Sequence, residues 1–408
     1  MVIERLEHIR GNKDRELAKL LQELIRIPSW VPDDPSEEEL KWTQNENHLV
    51  DYIEGWLKIH TTLEVERQEL AYGRFNLIAT KGKPTMILLG HLDTVRPSEG
   101  APYDQLAAEI HDGKIWGRGA ADMKSGLASV MQAVEMTPDA NNLMVVFYAD
   151  EEYDFLGMKA FVDKYSWLRP KVIISADGSD FKFGYGCRGL IELRGRVIGE
   201  TGHPASGSGK NAIWGTYEGL AELRKYLETF DHPVMGKPSF NLAYQLGGAK
   251  LPNSVAAGNY LTSVGQAGNV VPDINEFVID IRPSSPDLTL NKVVEVLKAY
   301  FADKGFGYET VQARHNLGAW YSDIKSLEEY VAVVKETFGQ DSVELENLKK
   351  SGYLDLQMLW EATGRPLAFM IGAGKHNMAH SPMENVEIDA LIKGRDVFVE
   401  LLKHHSKN

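Results

Sequence analysis

The sequence predicts an α/β fold in which a mostly parallel sheet flanked by helices is interrupted by a separate α+β unit. Three observations predict it: four short apolar runs with abrupt polar or glycine endings, helical patterns set beside them, and a change of pattern between residues 186 and 315. The runs are 86–93 (MILLGHLD), 143–152 (LMVVFYADEE), 172–177 (VIISAD) and 367–374 (LAFMIGAG). Each reads as a strand buried on both faces, the habit of parallel sheets. Helical patterns at 127–136 and 155–165 supply the covering layers. Parallel sheets bind ligands outside the carboxyl ends of their strands, so all four polar endings are expected at one edge, although they span residues 86 to 374. The middle stretch reads instead as a strand at 191–198, a helix at 212–228, strands near 240–246 and 276–281, and a helix at 288–301. Because apolar strands of the first kind stand before and after it, the expected organisation is one domain of residues 1–185 and 316–408 with an inserted domain of 186–315.

At 408 residues the chain is long for a single core, and its 43% hydrophobic and 25% charged residues have the balance of a globular enzyme. A formal net charge of −14 and the lack of any long Lys/Arg run exclude a nucleic-acid surface from the expectation. The N-terminus carries charges throughout, and nowhere do 18 apolar residues run together, so the expected location is cytoplasmic with no membrane partner. One cysteine, Cys187, rules out an internal disulfide framework and a thiolate zinc cluster. A metal site must be built from His, Asp and Glu. The acidic cluster at 33–39 (DDPSEEE) reads as a solvated loop or helix start.

His91 and Asp93 stand two apart at a strand end, where a carboxylate can orient the imidazole of a metal-ligating histidine through its second nitrogen. Alone, His91 would be an ordinary polar strand end. Asp122, in a glycine-containing loop before a helix, is either a cap or a carboxylate bridging two metal ions about 3.5–4 Å apart. The carboxylates Asp150, Glu151 and Glu152 close a buried run and would repel one another without cations or protons. One of the glutamates can ligate metal while its neighbour accepts a proton. Asp177 offers a further ligand, with Asp180 a competitor, and His380 a second imidazole, with His376 as alternative. Imidazole with carboxylate suits zinc best, cobalt or manganese next.

In order along the chain, GHLDTV (90–95), GRGAADMK (117–124), ADEE (149–152), Asp177 after its strand and AHSPMEN (379–385) resemble the peptidase family M20 of metallohydrolases over nearly the whole length. The resemblance implies a zinc-exopeptidase-like catalytic domain with an inserted lid and dimerisation domain. It also implies two zinc ions, with His91 and Asp177 holding one, Glu152 and His380 the other, and Asp122 bridging. Glu151 would be the general base and Asp93 the partner of His91. GETGHPAS (199–206) resembles the family's lid histidine motif, which makes His203 the oxyanion donor, commonly from a neighbouring subunit. Asn269, Arg282 and Gly374 resemble residues that receive the substrate's carboxylate. The implied activity is hydrolysis of the amide bond of an N-acylated amino acid by a homodimer. A dipeptidase or glutamate-type carboxypeptidase is the alternative, and a non-catalytic binding protein the reading from another class. After the glutamate pair, YDFLG (153–157) replaces the short Gly/Ser loop of many relatives, which leaves the pocket wall open.

Overall fold

A computed structural model describes residues 9, 11–30, 45–255, 259–340, 342–375 and 377–407; the acidic cluster at 33–39 and His376 lie outside the described residues. The chain divides into two compact units. One runs to Gly186 and takes up Tyr321–Glu346 and the chain from Met358; the other comprises Cys187–Trp320 and Asn347–Gln357.

In the first unit, helices α1 (Asn12–Arg26) and α2 (Asn45–His60) precede strands β1 (Glu64–Glu69), β2 (Phe75–Lys81) and β3 (Met86–His91). Helix α3 (Lys124–Met136), β4 (Leu143–Tyr148), helix α4 (Leu156–Tyr165) and β5 (Val172–Ser175) follow. The second unit supplies β6 (Leu190–Ile198), α5 (Ala212–Leu227), β7 (Ser239–Gly248), β8 (Ile274–Arg282), α6 (Leu290–Asp303) and β9 (Gly307–Leu317). The chain then returns with α7 (Glu328–Phe338), β10 (Leu367–Met370) and α8 (Ile388–Lys407).

The first sheet has the order β1-β2-β4-β3-β5-β10. Its four apolar strands, β4, β3, β5 and the edge strand β10, are parallel, while β2 runs antiparallel to β4 and to β1. Both faces are buried. Leu77, Leu88, Val145 and Ile174 belong to one core with α1, α2, α3 and α8, whereas the alternating Ile78, Ile87, Val146 and Ile173 are buried outside that cluster. Registers of His91 with Tyr148, Leu89 with Ser175 and Met370 with Ser175 bring the four strand ends within two residues of one another. Parallel pairing therefore turns four separated sequence endings into one edge.

The second unit is an antiparallel sheet of order β7-β8-β6-β9 with α5 and α6 packed on one face around Leu193, Leu223, Phe277, Leu297 and Phe301. Strand β9 was not visible as a strand in the pattern; it lies at a sheet edge and its register slips twice along β6. Among the described residues no helix is long and apolar enough to cross a membrane.

Phe301 is fully buried in the second unit's core. Phe301→Ala is expected to cost about 3–5 kcal/mol in urea unfolding; a loss under about 1 kcal/mol would mean that this core repacks freely.

Candidate functional site

His91 ends β3 and is almost wholly buried, with Nε2 3.1 Å from Asp122 Oδ1 and Nδ1 3.0 Å from the main-chain oxygen of Asp93. The Asp93 carboxylate, expected on Nδ1, stands 3.6 Å away. The strand stops at His91, so the two-residue alternation that would align the side chains stops with it. That carboxylate instead accepts two main-chain N–H groups, from Glu151 to Oδ1 and from Glu152 to Oδ2, each at 3.0 Å. Asp93 thus orients the imidazole with its carbonyl and the glutamate pair with its side chain.

Asp122 and Glu152 meet through His380. Its Nε2 lies 3.2 Å from Asp122 Oδ2 and 3.0 Å from Glu152 Oε2. Ligand atoms of His91, Asp122 and Glu152 all fall within 4.8 Å of one another. Burial raises the Asp122 carboxyl, but hydrogen bonds from His380 and His91 more than offset that and hold it well below the usual range. Burial also opposes charge on His91, yet Asp122 and Asp93 raise its pKa well above the ordinary value. His380, half exposed, is pushed up to about 10 by Asp122 and Glu152.

Burial, and then the Asp122 charge, raises Glu152 and lifts Asp177 to about 7. Asp177 therefore belongs to the same electrostatic cluster, whereas Asp180 is exposed and gives its N–H to Gly374 O at 2.6 Å. A divalent cation among these oxygens would replace repulsion by attraction. Two imidazoles and three carboxylates, with no thiolate, are a donor set that fits such an ion.

Loops hold these groups, and other buried residues hold the loops. Glu384, fully buried, accepts the N–H groups of Ala121 at 3.0 Å and Asp122 at 3.1 Å on one oxygen and pairs with Arg118 on the other. Arg118 also donates to Ser98 Oγ at 2.7 Å and to the carbonyl of Arg96 at 3.1 Å. Both residues lie inside motifs already noted, but their pairing across 266 positions could not be read from spacing. Gly374 has a packing role: a methyl group on it would overlap the carbonyl oxygen of Ala121, beside Asp122. Asp150 faces Arg74 at 2.8 Å, so one member of the acidic triplet has its own cation.

His203, Asn269 and Arg282 belong to the second unit. His203 is exposed and caps a short 3-10 turn, its Nδ1 accepting Ala205 N–H at 3.2 Å. Gly202 O accepts Val271 N–H at 2.9 Å, which sets the His203 loop beside the turn carrying Asn269. Arg282 gives Nε and Nη2 to both oxygens of Asp280 at 2.9 and 3.0 Å and lies over the Tyr353 ring.

The family model described as peptidase family M20/M25/M40 matches residues 87–404. An acetylornithine deacetylase from Pasteurella multocida is 28% identical over 393 residues, covering 93% of this chain and 95% of that protein. One from Proteus mirabilis is 26% identical over 403 residues, covering 95% and 96%. Among solved structures, an M20 family metallo-carboxypeptidase from Sulfolobus solfataricus superposes with a TM-score of 0.70 at 18% identity, covering 96% of this chain and all (100%) of that one. A dinuclear metal-binding peptidase of the M20 family from Bacillus subtilis gives 0.64 at 14% identity, covering 97% and 99%.

Removing one partner of a buried ion pair leaves the other charge uncompensated, so Glu384→Ala is expected to cost about 3–5 kcal/mol in chemical denaturation. Glu384→Gln keeps an acceptor for both N–H groups and should cost clearly less; equal losses would show that the two amide bonds contribute nothing.

Proposed function

The chain belongs to peptidase family M20/M25/M40, and from that membership we propose that it is a two-metal amidohydrolase removing the acyl group from an N-acylated amino acid. What carries this is the convergence of His91, Asp122, Glu152 and His380 at one sheet edge, with the glutamate pair fixed by Asp93. The acetylornithine deacetylases that match over 93–95% of the chain support the acyl amino acid class. His91 and Asp177 would hold one zinc, Glu152 and His380 the other, with Asp122 between them. Bound there, zinc supplies Lewis acidity toward a carbonyl oxygen and lowers the pKa of water.

The chain's own groups do the rest. Glu151, whose N–H is fixed on Asp93 Oδ1, takes a proton from the attacking water and returns it to the departing amine. His203 donates to the oxyanion. Asn269 and the Gly374 loop receive the substrate's carboxylate together with Arg282, which has Nη1 to offer beyond its two bonds to Asp280. A reducing cytoplasm suits a chain whose one cysteine, Cys187, is buried.

Homodimerisation is proposed through the second unit. Trp214 and Tyr217 on α5 are 64% and 67% exposed, and Leu242 and Tyr244 on edge strand β7 are 41% and 40% exposed. An unpaired strand edge beside exposed aromatics is a surface that a second copy can cover. Wild-type protein is expected to sediment as a dimer and Trp214→Glu/Tyr244→Glu as a monomer; a wild-type monomer at micromolar concentration would reject the interface.

The activity is tested with a panel of Nα-acetyl-L-ornithine, N-acetyl-L-methionine, an N-succinyl amino acid and a dipeptide, each with zinc, cobalt and manganese. Acyl amino acids should be hydrolysed, chelation should abolish turnover, and returned metal should restore it. Hydrolysis of the dipeptide alone would move the assignment to a peptidase. Glu151→Gln should lower kcat by about 10²–10⁴ with metal still bound; full activity in metal-replete Glu151→Gln would remove Glu151 as the base.

A further inference from the structure

Residue 87, where the family match begins, leaves upstream a buried cluster with no role in the chemistry described above. Arg74, at the entry to β2, has a side chain only 2% exposed. Its Nε and Nη2 grip Glu46 at 2.6 and 2.8 Å, and its Nη1 donates to Asp150 Oδ1 at 2.8 Å. Glu46, in the first turn of α2, is fully buried, so the guanidinium is aimed by a carboxylate that is itself packed in place.

Asp150 is the residue before Glu151, and its backbone has φ +70°, in the left-handed region. A residue other than glycine stays there only when its surroundings over-determine it. Arg74 takes one carboxylate oxygen, and the other accepts N–H groups of Asp154 at 3.2 Å and Leu156 at 3.1 Å. Asn76, two residues after Arg74, adds a second tie: its Oδ1 accepts Ala149 N–H at 3.1 Å and its Nδ2 donates to Gly157 O at 2.8 Å. Beyond the turn, Asp93 fixes the amides of Glu151 and Glu152. The Glu151 backbone is thus held from both sides, by side chains from α2, from β2 and its entry, and from the loop after β3.

We propose that Arg74, oriented by Glu46, is a positioning residue for the general base: it fixes the Asp150 turn so that the Glu151 carboxylate stands in one place. Its charge also compensates Asp150, so that Glu151 does not follow an unpaired buried carboxylate. This rests on Glu151 being the base. A purely structural tie between α2 and the sheet would change melting temperature and yield but leave the turnover of folded, metal-filled protein alone.

The test uses the full chain, loaded with zinc, as Arg74→Met, Arg74→Lys and Glu46→Gln. Readouts are kcat and KM on the fastest substrate of the panel above, metal per chain by mass spectrometry, and melting temperature. Arg74→Met is expected to lose about 10–100-fold in kcat with KM and metal content unchanged, since small misplacements of a catalytic group cost that much. Arg74→Lys should recover part of the loss, because an ammonium carries the charge without the fork that spans two carboxylates. Should Arg74→Met not fold, Glu46→Gln, which keeps Arg74 and its bond to Asp150, is read instead, with a fall of about 3–10-fold expected.

A kcat within about twofold of wild type in the folded, metal-filled variant overturns the proposal. So does a fall in rate matched by an equal loss of metal. Glu151→Gln separates the two ideas: if it retains the full rate the base assignment fails, whereas an inactive Glu151→Gln beside an unaffected Arg74→Met sinks only the positioning role.

Discussion

A carboxylate out of water among other carboxylates is costly to keep ionised, and the carboxyl edge of the first sheet is arranged around that repulsion. Asp93 is stabilised by two main-chain N–H groups, Asp150 by Arg74 and two more amides, and Glu384 by Arg118 and two others. Asp122 has His91 and His380. Burial nonetheless raises Glu152 and Asp177, with Asp122 adding to the push. The framework carboxylates Asp150 and Glu384 feel the same push, since burial raises both despite Arg74 and Arg118; what sets Asp122 and Glu152 apart is that their charged partners are imidazoles and not guanidinium groups. Within one hydrogen-bonded loop system burial lifts Glu384 to about 7, whereas His380 and His91 hold Asp122 well below the usual carboxylate range.

Parallel topology makes this concentration of charge achievable. Four apolar strands, buried on both faces, end within two residues of one another, so each contributes its polar terminus without placing polar groups in the core. Helix α3 starts two residues after Asp122, and its first residue, Lys124, buries an amine on the carbonyls of Leu24 and Ile27. The loop that carries Asp122 is therefore tied to the end of α1 on one side and to Glu384 on the other.

The α/β class and the edge itself were legible because uninterrupted apolar runs such as LMVVFY leave few alternatives to a buried strand, and because motif residues sit at their ends. The helices at 127–136 and 155–165 were legible from the helical pattern of their apolar residues. Strand β9 was not: it is an exposed edge strand with two register shifts, which erase the period-two pattern. The charge partners were invisible on physical grounds. Arg74 meets Glu46 and Asp150 across 28 and 76 positions, and Arg118 meets Glu384 across 266, separations that no local pattern encodes. The acidic triplet signalled that a cation was needed without revealing that one of its members had found an arginine.

The glycines that follow β5 and β10 show how the edge is kept tight once the charges are settled. A methyl group on Gly178 would overlap the backbone of Ile371 and Gly372, and one on Gly374 the carbonyl of Ala121. Three loops, those bearing Asp122, Asp177 and Gly374, therefore approach backbone to backbone, closer than any side chain would allow. That approach links the reach of Asp122 to the placement of Asp177, because the loops that carry them pack against the same Gly372–Gly374 stretch. The family resemblance implies a substrate-lining role for Gly374. The geometry of these glycines gives them a prior one: without the close approach, the carboxylates proposed to share two cations would not be held near enough to repel one another in the first place.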